Sequence, residues 1–321
     1  MKRRNLLVAV GGLATLGRRP ALAQAFPTRP IRFLVPFGAG TATDNTARFV
    51  GSLVSAASGQ PVVVDNRPGG NGVIGVVAAK ASRPDGYTVL VTGMTTHIGN
   101  PEMIPNLPYD AAADFAPLTT LARGAMVLLV RPSGSHASLA DLIAAGRREP
   151  GKLTFASASM TSRGAAEVLN MESGIAAVNV AYRASPAALT DLIGGQVDFA
   201  FTETLTALPL IRAGTLKPLG VSVRLAVAGL EDVPTFADAG FPALSLTVWN
   251  ACYAPAGTPP AILDRLNALL TDALRKPEAS TFFTRDGFEP LPMTAAEFAR
   301  FQAAERARWS DIIRRANITL N

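Results

Sequence analysis

The chain has 321 residues, 48% of them hydrophobic, with 30 basic and 24 acidic side chains and a formal charge of +6. That length favours two domains and suffices for two cores. The charge excess lies in the first 25 residues, whose Lys2, Arg3, Arg4, Arg18 and Arg19 meet no acid and leave 25 basic against 24 acidic residues in the remainder. A nearly neutral body lacks the field that holds a polyanion, and no basic run interleaved with aromatics follows, so nucleic acid is not an expected partner.

Residues 1–25 read as a secretory signal: a charged start, an apolar run from Leu6 to Leu16, and Ala21-Leu22-Ala23-Gln24-Ala25 with small residues for cleavage near Ala23 or Ala25. About a dozen apolar residues are too few to span a bilayer as a helix. A membrane anchor or a buried helix is the plainer alternative. The segment Arg3-Arg4-x-Leu6-Leu7 hints at twin-arginine export, with an ordinary basic leader preferred. The expected location of the mature product is outside the cytoplasm. Cys252 is the single cysteine, so no intrachain disulfide can form and core burial must hold the fold. It lies in an apolar, strand-like run and reads as a small buried hydrophobe.

From Pro30 to about Gly220, short β-rich runs alternate with amphipathic stretches. Ile31 to Val35, Pro61 to Val64 and Tyr87 to Val91 read as strands, with helices from Thr43 to Ala57 and Val73 to Ala81. Further strands are expected at Ala125–Val130, Leu153–Ser157, Ala177–Ala181, Asp198–Phe201 and Pro218–Val223, with a helix at Leu139–Arg147. The tail from Pro260 reads as helical, broken near Pro277 and Pro290 to Pro292, with a last helix from about Ala295 to Ile313. Nearly continuous apolar strands between helices mean sheets covered on both faces, an α/β fold. The architecture repeats once, and the stretches Phe115–Gly124 and Gly220–Ser245 are candidates to cross between two lobes. A cleft between lobes is a common ligand site.

Pro36-Phe37-Gly38-Ala39-Gly40-Thr41-Ala42-Thr43-Asp44 joins the first strand to the first helix. Its glycines allow backbone to approach a ligand, and the helix start offers free N–H groups to an anion such as a carboxylate. Thr41 and Asp44 also fit a capping box; a cap is preferred for the Asp44 side chain and ligand contact for the loop backbone. Gly70, Gly72 and Gly75 form a literal Gly-x-Gly-x-x-Gly. It follows the second strand rather than the first, and the next strand ends without a ribose-binding acid, so a tight helix–sheet turn is preferred over a dinucleotide site. Thr92-Gly93-Met94-Thr95-Thr96-His97 is a hydroxyl-rich loop that can donate into a cleft, with His97 either a donor or a solvated side chain. Ser157, Ser159, Thr161 and Ser162 precede a helix and read as an anion cradle or an N-cap, while Arg163 and Arg183 are the basic residues best placed to face an acid. His97 and His136 are far apart, no Gly-x-Ser-x-Gly elbow exists and no His/Cys metal spacing occurs. An enzyme, a metal and a cofactor are therefore not expected.

In order along the chain stand Pro30 to Phe37 with Gly40, Asp44 and Ala47-Arg48; Val64-Asp65-Asn66-Arg67-Pro68-Gly69-Gly70; and Pro84-Asp85-Gly86-Tyr87-Thr88. Thr96-His97-x-x-Asn100-Pro101 and Leu107-Pro108-Tyr109-Asp110 follow, then Leu189 through Asp198, Asp232-Val233-Pro234-Thr235 and Ala254 through Pro259. In combination these resemble the Bug-type periplasmic solute receptors of the tripartite tricarboxylate transporters. The resemblance covers nearly all of the chain after the leader. It implies a two-lobed periplasmic-binding-protein fold of type II, each lobe a mixed sheet flanked by helices. The implied divisions are a first-lobe segment over 26–124, a second lobe over 125–245 and a return to the first lobe over 246–321. It also implies a monomer that closes on a small organic carboxylate and serves membrane permease subunits. The family's first-lobe loops correspond to Phe37, Gly38, Ala39, Gly40, Thr41 and Asp44 and to Thr92, Thr95, Thr96 and His97. The second lobe supplies selectivity through Ser157, Ser159, Thr161, Arg163, Arg183 and Glu203. Arg163 stands where the family usually has histidine and Glu203 where it usually has aspartate. A receptor that only signals, or a secreted α/β enzyme, are the alternatives.

Overall fold

The strands fall where β-branched runs meet Pro and Gly punctuation. In the computed structural model, which describes residues 26–134, 136–225 and 227–319, they are β1 (Ile31–Val35), β2 (Val62–Asn66), β3 (Thr88–Gly93), β4 (Phe115–Val130), β5 (Thr154–Ser157), β6 (Val178–Ala181), β7 (Phe199–Glu203), β8 (Lys217–Val221), β9 (Thr247–Pro255) and β10 (Phe288–Pro290). The helices are α1 (Ala42–Ser58), α2 (Val73–Lys80), α3 (Asn100–Met103), α4 (Leu139–Arg148), α5 (Met160–Ser173), α6 (Ser185–Gly194), α7 (Thr204–Arg212), α8 (Pro260–Leu274), α9 (Pro277–Arg285) and α10 (Ala295–Arg315).

Hydrogen bonding links the strands in the order β2-β1-β3-β9-β4-β7-β5-β6, with β8 and β10 also on β4. In the first lobe β1 lies parallel to β2 and β3, and β9 runs antiparallel to both β3 and β4. In the second, β5 lies parallel to β6 and β7, while β7 and β8 run antiparallel to β4. Strand β4 belongs to both: it pairs with β9 from Phe115 to Ala125 and with β7 from Met126. Its alternation fits burial on both faces. Met126, Leu128 and Val130 enter the larger apolar core, and Ala125, Val127 and Leu129 a second one.

The expected α/β layering is present, with one difference in β4. The strand expected over Ala125–Val130 begins at Phe115 instead and runs through Pro117 and Gly124. Register shifts between Pro117 and Thr119 and between Thr120 and Ala122 absorb the proline. Gly124 leaves room for the Phe288 ring, which an added Cβ would approach to 2.8 Å. The tail likewise holds a short strand, β10, at the expected helix break, paired with Ala122–Gly124. Helix α10 touches both lobes. Its Glu305 Oε2 accepts from Trp249 Nε1 of β9 at 3.1 Å, and its Trp309 ring fills the space over Gly164 of α5, where a Cβ would come within 2.5 Å.

The Gly-rich turn before α2 does the packing work expected of it. A Cβ on Gly75 would lie 2.6 Å from Pro36 Cα and 2.8 Å from the Arg67 carbonyl oxygen, both backbone. That lets α2 press against the end of β1. No helix among the described residues is long and apolar enough to cross a membrane. The leader reading falls on residues 1–25, outside the described residues.

Candidate functional site

Helix starts decide the chemistry of the cleft. Thr41 caps α1, its Oγ1 accepting from the Asp44 N–H at 3.3 Å. Ser159 caps α5 in a reciprocal box with Ser162, its Oγ accepting from the Ser162 N–H at 3.1 Å. The N–H groups of a first helical turn have no intrahelical partner and carry the positive end of the helix dipole. Both turns, Thr41 to Thr43 from the first lobe and Ser159 to Thr161 from the second, line one cavity of about 260 Å³. Phe37, Gly93 to Thr95, Glu203, Val248 to Asn250 and Phe288 complete its wall.

A second cavity of about 500 Å³ adjoins it and shares Thr95, Ser159 and Met160. It carries Ser157, Arg163, Tyr182 and Arg183, with Asn71, Met103, Ile318 and Thr319 opposite. Ser157 Oγ donates to Asn179 Oδ1 at 2.6 Å, tying the end of β5 to its neighbour β6. Arg163 is partly tied down, with Glu167 Oε1 at 3.9 Å and the Asn317 carbonyl oxygen at 3.4 Å. Its Nε is buried without a hydrogen-bond partner. Arg183 is exposed and is held by no ion pair or hydrogen bond to a described residue.

Of the expected site residues, Phe37, Thr41, Thr95, Ser159, Thr161 and Glu203 line the smaller cavity, and Ser157, Arg163 and Arg183 the larger. The others lie elsewhere, for physical reasons. Gly38, Ala39 and Gly40 form a lip outside both linings, and a Cβ on Gly38 or Gly40 would meet nothing within 4 Å. Close approach is thus not the reason for glycine there. Gly40 has φ +82°, a left-handed turn that glycine adopts without strain, and its N–H donates to Asp44 Oδ2 at 2.8 Å.

Asp44 is buried behind the cavity as a structural hub; its carboxylate does not close the expected capping box on the Thr41 N–H, which donates to the Gly38 carbonyl, but takes the N–H of Gly40 instead. Besides Gly40 N, it accepts from Asn66 Nδ2 at 2.9 Å and from Arg48 Nε at 3.0 Å. Burial alone would raise its pKa, but the hydrogen bonds from Arg48, Gly40 and Asn66 together bring it below the usual carboxylate value. Asp44→Ala removes the buried acceptor of these three hydrogen bonds, one of them from a charged donor, and is expected to cost about 2 kcal/mol in chemical denaturation. A wild-type unfolding midpoint in that variant would contradict the hub role.

Thr92, Thr96 and His97 are completely buried, which corrects the reading of this stretch as an open loop. Residues Thr95–Gly99 form a π-helical turn leading into α3. Tyr109 Oη donates to the Thr96 carbonyl oxygen at 2.7 Å and accepts from Asn100 Nδ2 at 3.1 Å, drawing the turn inward. Thr92 and Thr96 hydroxyls meet at 2.7 Å, and Thr96 Oγ1 lies 3.0 Å from His97 Nδ1. The His97 ring stacks on Tyr253 with centroids 4.0 Å apart. Burial lowers its pKa to about 3, so it is neutral and supports the wall from behind.

Sequence reasoning missed Asn250 and Phe288, which reach the cavity from β9 and β10. Asn250 accepts from Thr43 Oγ1 at 3.3 Å. A lone asparagine inside the apolar run Thr247–Pro255 was the available signal. Among the described residues, no group of three His, Cys, Asp or Glu side chains is placed to hold a metal ion.

Comparison with known proteins gives this geometry a family. The model described as "Tripartite tricarboxylate transporter family receptor" matches residues 46–318. A UPF0065 protein of Bordetella bronchiseptica is 35% identical over 315 residues, covering 98% of this chain and 93% of that protein. Protein BugT of Bordetella pertussis is 32% identical over 319 residues, 98% of this chain and 97% of BugT. Among solved structures, R. palustris Rpa4515 with adipate has 31% identity and a TM-score of 0.79, covering 92% of this chain and all of that one. The family is one of solute receptors rather than catalysts, and its fold is the two-lobed periplasmic-binding arrangement. The chain belongs to the tripartite tricarboxylate transporter receptor family.

Proposed function

We propose that the protein captures a small organic carboxylate between its lobes and delivers it to the membrane permease subunits of a tripartite transporter. The observation that carries this reading is the convergence of two helix starts, α1 and α5, on one cavity from opposite lobes. Such a pair favours an anion, and holds it only when both lobes contribute. The adipate in Rpa4515, a relative by sequence and fold, supports the same ligand class. In this reading the receptor works as a periplasmic monomer after cleavage near Ala23 or Ala25. The lobes divide at 124/125 and 245/246, a division supported by the change of partner along β4 and by the start of β9 at Thr247.

The working site comprises Phe37, Thr41, Thr95, Ser159, Thr161 and Glu203 around the first carboxylate. Arg183 and Arg163 face the far end of the ligand in the larger cavity. A thermal-shift screen of ligand-free protein against dicarboxylic, tricarboxylic and amino acids tests the ligand class. At 100 times its dissociation constant a ligand adds about 2.7 kcal/mol of stability. A flat panel would count decisively against carboxylate capture.

Arg183→Ala removes a cation free to form a charge-assisted bond, worth about 1.5–3 kcal/mol, or roughly 10- to 150-fold in affinity. The loss should fall on ligands with a second anionic group and spare monocarboxylates. Calorimetry with one ligand of each kind measures it. Equal losses for both would remove Arg183 from the far-end role.

A further inference from the structure

The smaller cavity holds a carboxylate of its own. Glu203 ends β7 and stands at the start of α7, where its side chain caps nothing. It is held by no hydrogen bond or ion pair to any described residue. None of the residues that line this cavity is Lys, Arg or His. The other nearby carboxylate, Asp44, is satisfied behind the wall by Arg48, Asn66 and Gly40 N. An unpaired carboxylate thus shares a small space with two anion-attracting helix starts.

Two carboxylates in so small a space cannot both stay ionised unless a cation lies beside them. The rest of the wall suits a cation. Asn250 Oδ1 is a second acceptor, and Phe37 and Phe288 supply aromatic rings, whose faces attract ammonium groups. An ammonium offers three donors and can bond Glu203 while its molecule's carboxylate rests on the helix starts.

From this we infer that Glu203 forms an ammonium subsite, so that the receptor takes 2-amino acids in preference to the same acids without the amino group. The inference rests on the proposed carboxylate site. Burial pushes the Glu203 pKa up, and this desolvation is what an ammonium partner would relieve.

Calorimetry at pH 7.5 on full-length mature receptor, stripped of ligand, tests it with straight-chain dicarboxylic acids of four to six carbons and their 2-amino derivatives. The best 2-amino acid is expected to bind at least tenfold tighter than its unsubstituted partner. Glu203→Gln should erase that preference by weakening the 2-amino acid at least tenfold, and should tighten the unsubstituted acid, because the second negative charge is gone from the cavity. Glu203→Asp, which keeps the charge, should retain part of it. Three results would overturn the inference. One is an unsubstituted acid binding as tightly as its 2-amino form. Another is a preference that survives Glu203→Gln. The third is 2-amino acids binding with uptake of one proton, which would make Glu203 a proton-bearing donor instead of an ammonium partner. If neither series binds, the carboxylate reading falls together with this one; if only the preference is missing, the carboxylate reading stands.

Discussion

Gly93→Ala is expected to cost about 3 kcal/mol of stability, near the upper end for overpacking a core, and to abolish ligand-induced stabilisation. Gly93 ends β3 and pairs with Asn250 on β9. A Cβ there would stand 2.3 Å from the Trp249 carbonyl oxygen and 3.0 Å from Asn250 Oδ1. The first obstacle is backbone, so no side-chain rotation relieves it. Strand β9 would have to move, and β9 is fixed on its other edge by β4, where Asn250 pairs with Ala122. Displacement would therefore reach both the cavity wall and the strand that joins the lobes. Gly38→Ala is the matched control. Its added Cβ meets nothing within 4 Å and its φ is not positive, so stability should stay within about 0.5 kcal/mol of wild type. Urea denaturation of both variants decides the matter: equal midpoints would mean that β3 and β9 are not in the close contact described.

Much of this arrangement is legible in residue order because the fold marks its own helix starts. Thr41-x-x-Asp44 and Ser159 announce caps, and in open α/β sheets ligands bind at the carboxyl ends of strands, where such caps stand. Strands and binding turns therefore appear together in the pattern, which is why Thr41, Ser159 and Thr161 were readable as site residues. What pattern cannot supply is contact between distant segments. Asn250 and Phe288 reach the cavity only because β9 and β10 both pair with β4. Local chemistry also misleads where a tertiary bond overrides it. Thr92 to His97 has the composition of a solvated loop, yet the Tyr109 hydroxyl, bonded to the Thr96 carbonyl, holds the turn inside. The strand expected over Ala125–Val130 extends back to Phe115, because register shifts accommodate Pro117 and the Phe288 ring packs over Gly124. The far half of the site is the least legible part, since a lone arginine in sequence gives no sign of whether another residue already holds it.

Burial of His97 also makes the first lobe sensitive to acid. The ring is inaccessible to solvent, stacked on Tyr253 and flanked by Phe115, with its pKa lowered to about 3 by burial. An unfolded histidine titrates near 6.5. Between those values the unfolded chain binds a proton that the folded chain excludes, so stability rises with pH across this window. The contribution is complete above about pH 6.5 and is lost progressively as pH falls toward 3. At about 1.4 kcal/mol per unit, two units below 6.5 correspond to about 2.7 kcal/mol. His97→Phe keeps an aromatic ring on Tyr253 but cannot titrate. Denaturation curves at pH 7.5 and pH 4.5 should therefore show the wild type losing about 2.7 kcal/mol more than His97→Phe. Other groups titrate alike in both proteins and cancel in the difference. Because the folded ring stays neutral at both pH values, the loss should appear in stability and not in ligand affinity, which should respond to pH alike in the two proteins. Parallel profiles of stability against pH for the two proteins would show that His97 is not the group excluded from protonation.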